Sequence, residues 1–177
     1  MAFNLSEVIE ILERTPNVLE QYLVGLSSDW LESNEGEGTW NPSQVVGHLI
    51  DGEKYNWIPR LELMLSDKSD KSDKRFPIFD RFSHLQQYNE WSIEEKIREF
   101  SFLRAESIKK LKELFKDDTQ FEMKGFHPEY GEVKARELIS TWAVHDLTHI
   151  SQITRVLAKR YDEAVGPWKS YLGILKK

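Results

Sequence analysis

Leu138-Ile139-Ser140-Thr141-Trp142-Ala143-Val144-His145-Asp146-Leu147-Thr148-His149-Ile150-Ser151-Gln152-Ile153-Thr154-Arg155-Val156 decides how this chain is to be read. Leu138, Trp142, His145, His149, Gln152 and Val156 follow one another at intervals of four and three. That spacing is one face of an α-helix, continuous with a core stripe. Three members of the seam are polar, and burying them costs about 1–3 kcal/mol each unless they find partners. Imidazoles four residues apart project from the same face, so His145 and His149 can grip one metal ion from a single helix. Asp146 falls near the same arc at about 100° per residue. There it could accept the outer N–H of a ligating imidazole.

The surrounding pattern is also helical. Leu5, Val8, Ile9 and Leu12 stand at helical spacing, and Thr15-Pro16 reads as a cap followed by a first-turn proline. This first region is one bent helix or two short ones. Asn41-Pro42-Ser43-Gln44 repeats the cap-then-proline signal and opens a helix with Val45, His48, Leu49 and Gly52 inward. Pro59 should kink it by removing a backbone donor. Ser92-Ile93-Glu94-Glu95 is a capping box that starts a helix through about Phe115. Phe121 to Val133 contains Gly125, Pro128 and Gly131 and predicts a short strand pair or irregular turn. The helix of the opening stretch extends from about Ala135 to Tyr161. Gly166-Pro167-Trp168 breaks it and begins a short C-terminal helix. Four long helices with few strands predict an all-α four-helix bundle. The long second connection allows a topology other than simple up-down-up-down. Three copies of Ser-Asp-Lys make 67–75 a mobile surface loop.

Composition narrows the function classes. At 177 residues the chain is expected to form a single domain, 1–177, with a sizeable core. A net charge of −6 argues against nucleic acid and anionic membranes as partners. The absence of cysteine excludes disulfides, thiolate–zinc sites and a cysteine nucleophile. The first residues lack a secretory pattern, and no stretch is long and apolar enough to span a bilayer. A cytoplasmic location is expected.

His48 lies on the inward face of another helix and would make a three-histidine set with His145 and His149, leaving positions open to water or substrate. Spacing alone leaves two readings equally open: a metal site, or histidines hydrogen-bonded in the core. His145-Asp146-Leu147-Thr148-His149 also approaches the His-Glu-x-x-His zinc protease pattern. Aspartate is a methylene too short for the glutamate role, and no downstream ligand has the required spacing. His84, in a polar turn, reads as a solvated surface residue. His127 either holds the turn before Pro128 or lines a mouth near the site. The tryptophans read mostly as core or helix-end packing, though Trp40, Trp57, Trp142 and Trp168 could wall a pocket. Gly52 leaves room beside a metal or allows close helix packing.

Together these residues resemble the DinB-like (YfiT-like) superfamily of metal-binding helix bundles, over nearly the whole chain. The resemblance is carried by Trp40-Asn41-Pro42-Ser43-Gln44-Val45-Val46-Gly47-His48-Leu49-Ile50-Asp51, by Phe126-His127-Pro128-Glu129-Tyr130-Gly131, by Thr141 through Ile153, and by Val165-Gly166-Pro167-Trp168. It implies a four-helix bundle with one divalent metal, often zinc or nickel, and the family's three metal histidines match His48, His145 and His149. It also implies homodimers and a small-molecule substrate. Characterised relatives include thiol-dependent transferases and isomerases, and many others carry only a provisional label of metal-dependent hydrolase. The expectation is therefore a metal-dependent enzyme activating water or an exogenous thiol, with thiol transfer slightly preferred by family analogy. A non-catalytic metal-binding or stress-related module would have the same sequence. Neither Asp51 nor Asp146 is assigned as general base.

Overall fold

The computed structural model describes residues 3–67 and 74–176. Among them are helices α1 (Leu5–Leu23), α2 (Ser28–Leu31), α3 (Pro42–Tyr55), α4 (Trp57–Leu65), α5 (His84–Gln87), α6 (Ile93–Leu114) and α7 (Ala135–Lys159). Strands β1 (Lys124–His127) and β2 (Gly131–Lys134) form an antiparallel hairpin in which Gly125 faces Val133 and His127 faces Gly131. The charged tract expected to be a mobile loop, 67–75, falls largely on positions 68–73, outside the described residues.

Local chemistry explains where the helices start. The Asn41 side chain accepts from the Gln44 N–H at 2.8 Å, and the Gln44 side chain accepts from the Asn41 N–H at 3.0 Å. Ser92 and Glu95 exchange the same pair of bonds at the head of α6. Each box satisfies two otherwise orphaned donors. Thr15-Pro16, read as a cap, is internal: α1 runs through Pro16 as one helix. Thr15 Oγ1 donates back to the Ile11 carbonyl at 3.1 Å, so the residue does not cap a second helix. Pro59 instead falls in the first turn of α4, because the chain breaks at Asn56 just before it. A proline is tolerated there, where its missing N–H has no helical partner to lose.

Two apolar clusters fill the bundle. One contains Leu12, Leu61, Leu111 and Ile139; the other contains Leu23, Leu49, Phe100 and Ile153. Between them every long helix buries a polar residue: Thr15 on α1, Glu53 on α3, Arg104 on α6 and Asp146 on α7. The order of the clusters along each helix gives its direction. α1 and α7 run from the first cluster to the second, while α6, and α3 continued by α4, run from the second to the first. Both α1 and α3 pack against α6 and α7. The pattern is therefore not up-down-up-down. Phe76 lies in the first cluster and Tyr88 in the second, so residues 76–88 cross from one to the other along the bundle.

The crossover is fastened at both ends. The Phe76 N–H donates to the Phe126 carbonyl at 2.8 Å, tying it to the hairpin. Gly125 makes this possible, since a Cβ there would lie 2.5 Å from the Phe76 ring. Farther along, Ser83 Oγ and the Tyr88 hydroxyl donate to the two carboxylate oxygens of buried Asp51, at 2.6 and 2.9 Å. Gly47 lets this segment approach α3, as a Cβ there would sit 3.3 Å from the Tyr88 ring. After α7 the expected short C-terminal helix is instead a pair of 3₁₀ turns, Gly166–Tyr171 and Gly173–Leu175. Trp168 and Tyr171 are exposed on them. No helix among the described residues is long and apolar enough to cross a membrane.

Candidate metal centre

His48 stands on α3, and His145 and His149 stand on the antiparallel neighbour α7. The structure brings the three imidazoles to one point. Nε2 of His145 lies 3.2 Å from Nε2 of His48 and 3.1 Å from Nε2 of His149. One nitrogen from each ring lies within 4.8 Å of the others. Burial, followed by the neighbouring imidazoles, pushes His48 down to about 3 and His145 down to about 2. Burial also lowers His149, partly offset by its hydrogen bond to Gln152 and by the Asp146 charge. All three rings are neutral near pH 7, the form that ligates metals.

Whether a cation fits this set depends on where the imidazole protons lie. A neutral imidazole has one N–H and one lone pair. Nδ1 of His149 donates to Gln152 Oε1 at 2.8 Å, which leaves the His149 Nε2 lone pair aimed at the cluster. The Nδ1 atoms of His48 and His145 are buried without a hydrogen-bond partner. If they carry the protons, lone pairs meet at the centre; if Nε2 carries them, two buried acceptors are orphaned. A cation among the Nε2 atoms takes up the facing lone pairs, with the protons of His48 and His145 on Nδ1. Tetrahedral ligands at zinc–nitrogen distances of 2.0–2.1 Å stand about 3.3 Å apart, close to the two observed separations. The donor set therefore suits a divalent metal ion.

Asp146 does not orient an imidazole, as its place on the arc suggested. It is fully buried and takes two hydrogen bonds from Arg104, at 2.5 and 3.1 Å. Arg104 also donates twice to Glu53 Oε1, at 3.1 and 2.8 Å, and Trp142 Nε1 donates to the same oxygen at 3.1 Å. Burial alone would pull the Arg104 guanidinium down, but Glu53 and Asp146 hold it above its ordinary value. Burial is the main cause that raises Glu53. The orienting role falls to Gln152, which was seen on the seam without that assignment. Arg104 was not singled out. Its signal is phase: Ile97, Phe100, Arg104, Ile108 and Leu111 keep three-four spacing, which puts an arginine on a core face.

Aromatic rings fix the walls. Trp57 stacks on Trp142 with centroids 5.5 Å apart and meets His145 edge-on at 5.1 Å. Trp40 lies 4.8 Å from His48 and 6.4 Å from His149. Gly52 serves the close-packing alternative, since a Cβ there would come within 3.1 Å of Trp57 Nε1. Trp168 lines neither this wall nor the core. His84 is not a surface residue: it is 2 % exposed, beneath Trp40 at 4.6 Å and beside His48 at 5.4 Å. The crossover carries it inward when Ser83 and Tyr88 bind Asp51.

The histidines open onto a cleft of about 820 Å³ between α3, α4, α7, the crossover and the hairpin. Its lining includes Trp40, Trp57, Phe76, Phe79, Arg60 and His127. His127 thus combines both roles weighed for it. Its Nδ1 accepts from the Glu129 and Tyr130 N–H groups at 3.2 and 3.3 Å, which holds the turn, and its ring lines the mouth.

The sequence profile of the DinB superfamily matches residues 11–153. An Oceanobacillus iheyensis protein provisionally named a metal-dependent hydrolase is 26% identical over 163 residues, covering 89% of this chain and 88% of that one. A Bacillus cereus protein with the same provisional name is 27% identical over 149 residues, covering 82% of this chain and 81% of that one. Among solved structures, YfiT from Bacillus subtilis superposes with a TM-score of 0.73 at 22% identity, over 88% of this chain and 86% of that one. YfiT is described as a probable metal-dependent hydrolase with an unusual four-helix bundle topology. That likeness bears on the fold.

Proposed function

The chain belongs to the DinB superfamily, and we propose that it is a metal-dependent hydrolase of a small-molecule substrate, with one divalent ion, zinc or nickel, held by His48, His145 and His149. The observation that carries the reading is the convergence of three neutral Nε2 atoms on the wall of an open cleft. The provisional names of the relatives support hydrolysis. A divalent ion in such a site supplies Lewis acidity, lowering the pKa of a coordinated water or thiol into the neutral range.

The residues do the rest. Gln152 fixes the ring of His149 and directs its lone pair to the centre. Trp57 and Trp40 hold the other two rings from the side. Asp51 and Asp146 are engaged by Ser83, Tyr88 and Arg104, so neither is placed to act as general base. The three-histidine set leaves the remaining coordination positions to ligands from the cleft.

The test is elemental analysis of protein purified without a metal-affinity tag, followed by turnover assays on ester, amide and thiol-conjugation panels. The reading expects near one equivalent of divalent metal, hydrolysis by the loaded protein, and loss of both in a folded His145→Ala variant. Turnover only with an added thiol would replace hydrolysis by thiol transfer at the same site. Stoichiometric metal without any turnover would leave a binding module. No metal after reconstitution would end the metal reading.

A further inference from the structure

The cleft contains a second polar feature that the histidines do not use. Arg60 on α4 is 6 % exposed and lines the same cavity. The only hydrogen bond its side chain makes to a described residue is a long one, Nη2 to the Pro77 carbonyl at 3.4 Å. Its Nε is buried without a partner. No carboxylate among the described residues lies within ion-pair distance, and the guanidinium instead rests over the Phe76 ring at 5.0 Å.

Arg104 shows what the fold does with a buried arginine that serves structure: it supplies two carboxylates and a backbone carbonyl. Arg60 receives none of these. Burial lowers its basicity with no acid offsetting the cost. A buried cation left unpaired is expensive, and a cation at the wall of a binding cleft finds its counter-charge in the ligand.

Two neighbours offer contacts beside Arg60: Asn56 an acceptor for a donor elsewhere on the ligand, and His127 a donor for the carboxylate-type charge that Arg60 calls for. Asn56, one turn before Arg60, also lines the cleft, and its Oδ1 is buried without a partner. His127 accepts two backbone N–H groups at Nδ1, so its neutral ring carries the proton on Nε2 and offers a donor. Trp57, Phe76 and Phe79 give the cavity aromatic walls.

We propose that Arg60, assisted by His127, is the anchor for a carboxylate on the substrate, so that this chain acts on apolar or aromatic carboxylic acids whose reacting bond lies toward the three histidines. The planar fork of a guanidinium matches a carboxylate through two parallel hydrogen bonds. The assignment of a substrate class rests on the cleft being the active site, but the anchor itself needs no metal.

The test uses 3-phenylpropionate and its neutral amide, 3-phenylpropionamide, titrated calorimetrically into metal-free and zinc-loaded protein. The acid should bind about tenfold more tightly than the amide in both forms, the factor that one charge-assisted contact supplies. Arg60→Gln should abolish the preference and Arg60→Lys should retain part of it, with circular dichroism reporting the fold. The Arg60 Nε–H resonance in wild-type protein should shift with the acid and not with the amide, which decides the matter if both variants fail to fold. Equal binding of the two probes, binding of neither, or a preference that survives Arg60→Gln would overturn the anchor. A preference confined to the zinc-loaded protein would also overturn it, by placing the carboxylate on the metal, and would leave the metal reading intact.

Discussion

Arg104 donates from Nη1 to the carbonyl oxygen of Leu12 at 2.9 Å, and Leu12 is the residue whose carbonyl a helical N–H at position 16 would have claimed. Pro16 has no such N–H. The proline therefore does more than survive inside α1. It leaves an acceptor in the core, and the buried guanidinium of a different helix takes it.

This relationship predicts a coupling. Arg104→Met should destabilise the fold by about 3–5 kcal/mol, because Glu53 and Asp146 are left buried without their cation. Pro16→Ala returns an N–H to the Leu12 carbonyl, so the Arg104→Met cost should be smaller in that background. Urea denaturation of the four proteins in a double-mutant cycle should give a coupling of about 0.5–3 kcal/mol. Strict additivity would mean that the carbonyl bond contributes nothing.

Acid should weaken the metal-free fold through the histidine cluster. His48 and His145 titrate in the folded chain at about 3 and about 2, against about 6.5 in an unfolded chain. Below 6.5 the unfolded state therefore binds more protons, and stability falls as pH falls. Each histidine contributes a slope approaching about 1.4 kcal/mol per pH unit in that window. Replacing His48 by Gln should make the curve shallower between neutrality and mild acid. An unchanged curve from chemical denaturation at stepped pH would contradict the burial argument.

Gln152 should matter to the metal more than to the fold. In Gln152→Leu the His149 Nδ1–H loses its acceptor, and the ring loses both its tautomer and its orientation. Outer partners of this kind change metal affinity about 10–100-fold. Competition against a chelating indicator should show that loss, while circular dichroism of the metal-free variant shows the helical fold retained.

Gly52→Ala should disturb the wall of the cleft. The added methyl would start 3.1 Å from Trp57 Nε1, and Trp57 is held on its other side by Trp142. Overpacking of this kind costs about 1–3 kcal/mol. Urea denaturation measures the cost, and a changed tryptophan emission maximum would report the displaced indole.

What could be read in advance was what depends on near neighbours along the chain. The capping boxes at Asn41 and Ser92 and the His145–His149 spacing are local, so the helices and the histidine pair were legible. His48 was legible as an inward residue because Val45 and Leu49 flank it in phase. Asp146 was placed near the core arc, but its partner comes from α6, and nothing near Asp146 announces an arginine 42 positions earlier. His84 was misread for a related reason. Its turn is polar, and only the crossover laid against Gly47 and Asp51 turns it inward. Thr15-Pro16 imitated a cap because the compensating donor, Arg104, lies 89 residues away from Thr15. Arg60 escaped notice because an arginine beside Pro59 reads as surface until the cleft is seen to close over it.

The band of buried polar residues across the four long helices also acts as a ruler. Hydrophobic side chains tolerate axial slippage, since one leucine can replace another against a neighbour. Arg104 cannot move by a helical turn of about 5.4 Å without abandoning Glu53, Asp146 and the Leu12 carbonyl together. The band therefore sets the longitudinal alignment of α1, α3, α6 and α7 at one height. His48 lies five residues before Glu53, and His145 and His149 flank Asp146, so the same alignment brings their rings level. Alignment of the ligands is thus a property of the folded chain, present before any ion arrives.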